Sequence, residues 1–142
     1  MIDVADFRTL VVRPTLQAIG LHSKAAENLL VGTAVQESHL TFLAQKGGGP
    51  ALGVYQIEPA THDDVFTNGR GARWTANLGA PRLVTDLAYA TAVARIIYYR
   101  RPEPLPAATD IEGLAGYWKQ HYNTPLGKGT AAEWAANYRE FA

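Results

Sequence analysis

Between Asp3 and Ile19 the apolar positions Val4, Phe7, Leu10, Val11 and Ile19 recur at helical spacing. Pro14 falls inside that run. It lacks a donor and crowds the preceding turn, so the pattern predicts a helix kinked or split there. Gly20 supplies a stop. Ser23 stands in N-cap position for a second helix running to about Leu40. Thr109-Asp110-Ile111-Glu112 has capping-box spacing and opens a helix with Ile111, Leu114, Ala115, Trp118 and Tyr122 on one stripe. Thr130-Ala131-Ala132-Glu133 repeats the device before Trp134, Tyr138 and Phe141. Arg82 to Tyr99, RLVTDLAYATAVARIIYY, is apolar on most sides, the pattern of a buried central helix. Pro102, Pro104 and Pro106 end it. Only Gly53 to Ile57 reads as extended, a short strand or hairpin arm. Glycines at 47–49, 69, 71 and 79 mark loops, and no internal repeat is visible. The expected class is mainly α with a very small β element.

Composition narrows the setting. A chain of 142 residues fits one domain, 1–142, large enough to hold a core without staples. It has no cysteine, which excludes disulfides and thiolate zinc sites. Thirteen basic residues balance 13 acidic ones, which argues against affinity built on phosphate neutralisation and so against nucleic acid as partner. The start MIDVADFRTLVVRP lacks the pattern of a signal peptide, and no apolar run approaches the length of a membrane span, so no membrane insertion is expected.

One acid stands out. On the second predicted helix Ala26, Leu30, Thr33, Glu37 and Leu40 share a face, which places the Glu37 carboxylate on the apolar stripe near the helix C-terminus. Burial and the negative end of the helix both disfavour its charged form. A glutamate reluctant to ionise near neutral pH is what a general acid needs. The plainer alternative is a stripe-edge acid paired with an arginine or lysine.

The wider constellation bears on that choice. Glu37-Ser38 is followed by Gly53-Val54-Tyr55-Gln56-Ile57 with Pro59-Ala60-Thr61, and then by Gly116-Tyr117-Trp118-Lys119-Gln120-His121-Tyr122-Asn123-Thr124-Pro125. In this order the segments resemble the soluble lytic transglycosylase domain and its goose-type lysozyme relatives, over about Leu29 to Gly129. The Glu-to-Gln separation of 19 is close to that family's spacing. Tyr55 stands where the family has methionine, and Asn-Thr-Pro-Leu-Gly replaces Asn-Ala-Gly-Pro. The resemblance implies a lysozyme-like α+β fold that cleaves the β-1,4 bond between N-acetylmuramic acid and N-acetylglucosamine in peptidoglycan. It implies Glu37 as catalytic acid and base. Ser38, Gly53, Tyr55, Gln56, Tyr122 and Asn123 would form the substrate site, with the Tyr122 hydroxyl within reach of the carboxyl group. Read as residues alone, Gly53–Ile57 is equally an ordinary buried strand and Tyr122 a core aromatic. Trp118 shares the apolar stripe and reads as core. Trp74, in the loop Arg73-Trp74-Thr75, is the better ring for stacking on a sugar.

Counting carboxylates separates two chemistries. Most glycosidases use two. No Asp or Glu lies between Glu37 and Glu58, so a second carboxylate would have to be Glu58, Asp63 or Asp64. A lytic transglycosylase needs only Glu37, and that is the expectation, with hydrolytic muramidase as the alternative. A third reading is an inactive structural or cell-wall-binding module. His62 beside Asp63 and Asp64 has no partner histidine, so neither a metal nor a cofactor is expected. The implied partner is the peptidoglycan glycan strand, with other phage virion or lysis proteins beside it. A peptidoglycan-directed chain without a leader resembles a phage endolysin or virion-associated muramidase. It would be made in the bacterial cytoplasm and would act on the wall after release or delivery.

Overall fold

The computed structural model describes residues 1–123 and 127–142. The first helix, α1, runs over 4–18. Asp3 caps it, Oδ1 accepting from the Asp6 amide at 2.9 Å. Its middle, Phe7–Val12, is π-helical, between α-helical turns at Val4–Asp6 and Arg13–Ala18. There the Arg13 amide reaches back five residues to the Arg8 carbonyl. Pro14 accounts for this: it offers no N–H to the Leu10 carbonyl and its ring would strike it, and a wider turn relieves both problems. The predicted break is thus a local widening of a continuous helix. At its end the Gly20 amide bonds Gln17 O at 3.1 Å and the Leu21 amide bonds Leu16 O at 3.0 Å. With Gly20 at φ +75° this is a Schellman cap.

Helix α2, Lys24–Ser38, begins where the sequence placed it, with Ser23 Oγ accepting from the Ala26 amide. It ends two residues early, because His39 and Leu40 both take left-handed backbone at φ 51°. Residues 26–35 are buried without interruption, so α2 runs through the middle of the molecule. Near its start the buried Glu27 carboxylate is held by Arg8, Arg13, His22 and Lys24 at 2.8–3.1 Å.

Helix α3, Pro59–Thr67, follows Glu58, with proline in its first turn where a missing N–H costs nothing. A 3₁₀ turn, Gly71–Arg73, leads toward α4 (Arg82–Thr85) and α5 (Leu87–Tyr99). The single long helix expected from Arg82 to Tyr99 is therefore two. Asp86 leaves helical geometry and its Oδ1 caps the Tyr89 amide at 2.9 Å, the local competition that aspartate offers a helix. Helix α6, Ile111–Trp118, is capped by Asp110 rather than Thr109; Asp110 Oδ1 accepts from the Gly113 amide at 2.9 Å. It continues into a second π-helical stretch, Lys119–Asn123. Helix α7, Ala131–Phe141, is capped by Thr130 as predicted.

The segment Gly53–Ile57 is not a strand. Leu52 and Ile57 exchange both backbone hydrogen bonds, at 2.9 and 3.0 Å, around a tight turn, and Leu52 also bridges to Ala44. Gly53 at φ +77° and Gln56 at φ +49° take two positions out of extended geometry. Among the described residues these isolated bridges are all the β structure, so the molecule is mainly helical.

All seven helices among the described residues contribute to one apolar core, which holds Phe7, Leu30, Val65, Leu83, Ile96, Leu114 and Trp134. α2 packs against α5, α6 and α7. Its contact with α7 is close because Gly32 carries no side chain: a Cβ there would lie 2.1 Å from the Trp134 ring. No described helix is long and apolar enough to cross a membrane.

Candidate functional site

The end of α2, the turn at 53–56, the start of α3, the last turn of α5 and the π-helical end of α6 converge on a cleft of about 550 Å³. Its lining includes Glu37, Gln45, Gln56, Glu58, Tyr122 and Asn123, with Thr61 and Ile97 behind them.

Glu37 is partly exposed at this cleft. Burial of most of its side chain pushes the carboxyl group up to about 7, and a hydrogen bond from the Trp118 indole opposes that rise. The negative end of α2 acts in the same direction as burial. Trp118 Nε1 donates to Glu37 Oε2 at 3.0 Å. No arginine or lysine pairs with Glu37 among the described residues, so the salt-bridged alternative does not apply. Because the indole stabilises the charged form, Trp118→Phe moves the Glu37 midpoint further up. A carboxyl-resolved NMR titration checks this: an unchanged or lower midpoint would contradict the role given to the indole.

Trp118 is itself core, with almost no exposed surface, as its stripe position predicted. Its part in holding the acid is what the sequence reading missed. The signal was available: a buried indole needs an acceptor for its N–H, and no other group was assigned to it. The ring is fixed from behind by Gly129, where a Cβ would lie 2.6 Å from it. Lys119 Nζ anchors that segment through the Gly129 carbonyl at 2.6 Å, the Gly127 carbonyl at 2.8 Å and Asn123 Oδ1 at 2.7 Å.

The remaining sequence candidates divide. Gln56, Tyr122 and Asn123 line the cleft. Gln56 sits in left-handed backbone with Nε2 donating to Gly53 O, which turns its amide along the wall. Tyr122 is both of the things proposed for it, a cleft residue and a packed aromatic. Its ring stacks on Tyr98 at 5.2 Å. Its hydroxyl donates to the Tyr55 carbonyl rather than to Glu37. Burial pushes the Tyr122 and Tyr98 phenols well up, and the Glu37 carboxylate adds to it, so both stay neutral.

Four candidates are placed elsewhere. Tyr55 is fully buried, with its hydroxyl bonded to Thr91 Oγ1 at 3.0 Å, so only its backbone bears on the site. Ser38 is buried and its Oγ donates to Val54 O at 2.7 Å, tying the end of α2 to the turn rather than meeting a substrate. Gly53 approaches protein, not ligand: a Cβ would lie 2.2 Å from the Leu83 carbonyl. Trp74 stacks edge-on against Tyr99 at 5.0 Å and is not among the residues lining the cleft. Thr124 and Pro125 of the third motif lie outside the described residues.

Of the three candidate second carboxylates only Glu58 reaches the cleft. Asp63 bonds His62 Nδ1 at 2.9 Å, and Asp64 pairs with Arg100 at 2.7 Å. His62 is buried, with Nε2 at 2.7 Å from the Tyr89 hydroxyl. No cluster of three or more potential metal-binding side chains occurs among the described residues. Thr61, from the Pro59-Ala60-Thr61 motif, also lines the cleft, and Gln45, Ile97 and Lys128 join the lining without having been singled out from the sequence.

No protein-family model matches the chain, and no curated protein or solved structure matches it either.

Proposed function

We propose that the protein cleaves the glycan strand of peptidoglycan between N-acetylmuramic acid and N-acetylglucosamine, as a lytic transglycosylase with a lysozyme-like helical domain. The observation that carries the reading is the partly desolvated Glu37 in an open cleft, tuned to about 7 and held by one indole donor. The motif resemblance supplies the substrate class.

A group with its pKa near the working pH can both give and retrieve a proton. Glu37 Oε1, the oxygen not engaged by Trp118, protonates the glycosidic oxygen as the bond to muramic C1 breaks. The oxocarbenium-like centre forms beside the carboxylate just created. Glu37 then takes the proton of the muramic C6 hydroxyl as that oxygen closes on C1. No water is consumed and Glu37 ends protonated, as it began. Gln56 and Asn123, on the cleft lining, offer amide groups for sugar hydroxyls and the N-acetyl group. Phage-borne delivery to the cell wall belongs to the same proposal.

One observation favours a second reading. Glu58 lines the same cleft and is the acid available to activate water in a hydrolase. Digestion of purified peptidoglycan followed by mass analysis separates the two. The expected muropeptides end in 1,6-anhydromuramic rings, one water lighter than reducing ends, and Glu58→Gln leaves that product pattern unchanged. Borohydride-reducible ends that disappear in Glu58→Gln would replace transglycosylation with hydrolysis.

A further inference from the structure

Arg95 is a largely buried cation without an anionic partner among the described residues. It lies on α5, only 7% exposed. Its one hydrogen bond among the described residues runs from Nε to the Leu21 carbonyl at 3.0 Å. None of the ion pairs among the described residues includes it. The Tyr99 ring faces its guanidinium at 5.4 Å, a partial compensation. Burial pushes the guanidinium down from its ordinary value, with only the Tyr117 and Tyr99 phenols acting against that. It nevertheless stays charged, because an arginine starts far above neutral pH. An unpaired buried charge is costly, so it is normally met by a carboxylate, a phosphate or a bound anion.

Neither Nη atom is among the buried polar atoms without a partner, so both keep access to solvent beside the cavity that Arg95 lines. Arg95 lines a surface cavity of about 540 Å³ with Arg100, Arg101, Tyr99, Tyr117 and Leu105. This lies away from the Glu37 cleft. Residues 95 and 97 are about 200° apart on a helix, and Ile97 is the one that faces the cleft. Charge in the second cavity is lopsided. Arg101 is exposed and makes no ion pair among the described residues. Arg100 gives Nη1 to Asp64, but its Nε is buried and bonded to nothing. The acid in the lining, Glu103, faces His121 at 3.6 Å. The cavity is therefore lined by three arginines and one acid, with the Arg100 guanidinium shared with Asp64 outside the lining. Guanidinium forks match planar or tetrahedral oxyanions.

We infer that the cavity formed by Arg95, Arg100, Arg101, Tyr99 and Tyr117 is an oxyanion-binding site, taking a carboxylate or phosphate group whose attached body rests on the two tyrosine rings. This inference is independent of the reaction proposed at Glu37, because it stands on different residues and predicts binding rather than turnover.

The test titrates the whole protein with inorganic phosphate and, separately, with acetate, at ionic strength matched with sodium chloride. The Arg95 Nε–H resonance and the melting temperature are followed. The expected result is a saturable shift of that resonance with at least one of the two anions, accompanied by a rise in melting temperature. Whichever anion saturates identifies the ligand chemistry. Arg101→Ser, an exposed change, should weaken binding about three- to tenfold. Arg95→Met keeps the aliphatic stem and should abolish the saturable, anion-specific rise in melting temperature. Should Arg95→Met fail to fold, Arg101→Ser carries the test alone. The inference is overturned by a response that chloride reproduces, by no saturation with either anion, by full affinity in Arg101→Ser, or by binding that persists in Arg95→Met.

Discussion

Glu37→Gln should remove the peptidoglycan cleavage proposed for the protein while making the folded protein more stable at alkaline pH. The amide keeps the shape of the side chain and can still accept the Trp118 N–H, but it has no proton to deliver. Loss of general acid catalysis alone is worth about 10²–10⁴ in rate, and in the proposed mechanism Glu37 serves as base as well. Retention of more than a tenth of wild-type turbidity clearance would refute the assignment. The wild-type protein needs the acid form, so its activity should fall as pH rises through about 7. Stability has the same sign. The folded carboxyl group holds its proton up to about 7, whereas the unfolded one releases it near 4.5, so the folded state binds more protons between those values. Stability is therefore lost as pH rises across that window. Glutamine does not titrate, and the variant should gain about 1–2 kcal/mol over wild type above pH 8, once screening at the open cleft is allowed for. Denaturant melts of both proteins at pH 5 and pH 8.5 check this. A variant no more stable at the higher pH would mean that Glu37 is not desolvated.

Glu27→Ala has the opposite character: a large loss of stability with no direct bearing on the cleft. Burial alone would push the Glu27 carboxyl group up, but Arg13, Arg8, His22 and Lys24 together hold it well below the usual carboxylate range. The carboxylate is buried, whereas Arg13 and Lys24 are substantially exposed. Removing it leaves Arg8, 14% exposed, facing a hole beside other cations. Breaking a buried pair costs about 3–5 kcal/mol, and partial exposure of the partners reduces the expectation to about 2–4 kcal/mol. A depressed carboxylate stabilises above its unfolded value of 4.5, and that contribution disappears as pH falls below it. The difference between wild type and Glu27→Ala, measured by urea melts, should therefore be largest near neutral pH and shrink toward pH 3. A pH-independent difference would assign the effect to packing instead.

Local signals carried the helix ends well. Ser23 and Thr130 cap where their side chains can reach the next amides, a short-range matter that the sequence exposes directly. Asp86 was hidden because the apolar residues around it continue a helical pattern, and only its cap to Tyr89 shows that the backbone leaves the helix. At the site, Glu37 was legible because a carboxylate on an apolar stripe is rare and costly. The side-chain directions around it were not. Tyr55 and Gln56 are neighbours in one turn, yet one points into the core and the other along the cleft, because Gln56 adopts positive φ. Trp74 read as a free loop ring, but its partner Tyr99 comes from a helix 25 positions later in the chain. The Trp118–Glu37 bond spans 81 positions, a pairing that only tertiary packing sets.

The π-helical stretch at Lys119–Asn123 has a consequence for how the cleft is spelled in the chain. An α-helix returns to the same side after three or four residues, so Tyr122 in a regular continuation would stack above Trp118. In the wider π-helical turn each residue rotates less than the roughly 100° of an α-helix, so Tyr122 and Asn123 come round short of their α-helical directions. Trp118, at the entry to that stretch, points inward as donor to the acid; Tyr122 and Asn123, within it, face the cleft. The direction of the cleft wall is accordingly encoded by the number of residues in that turn more than by their kinds. The exposed Gln120 is part of the site by being counted, whatever its side chain.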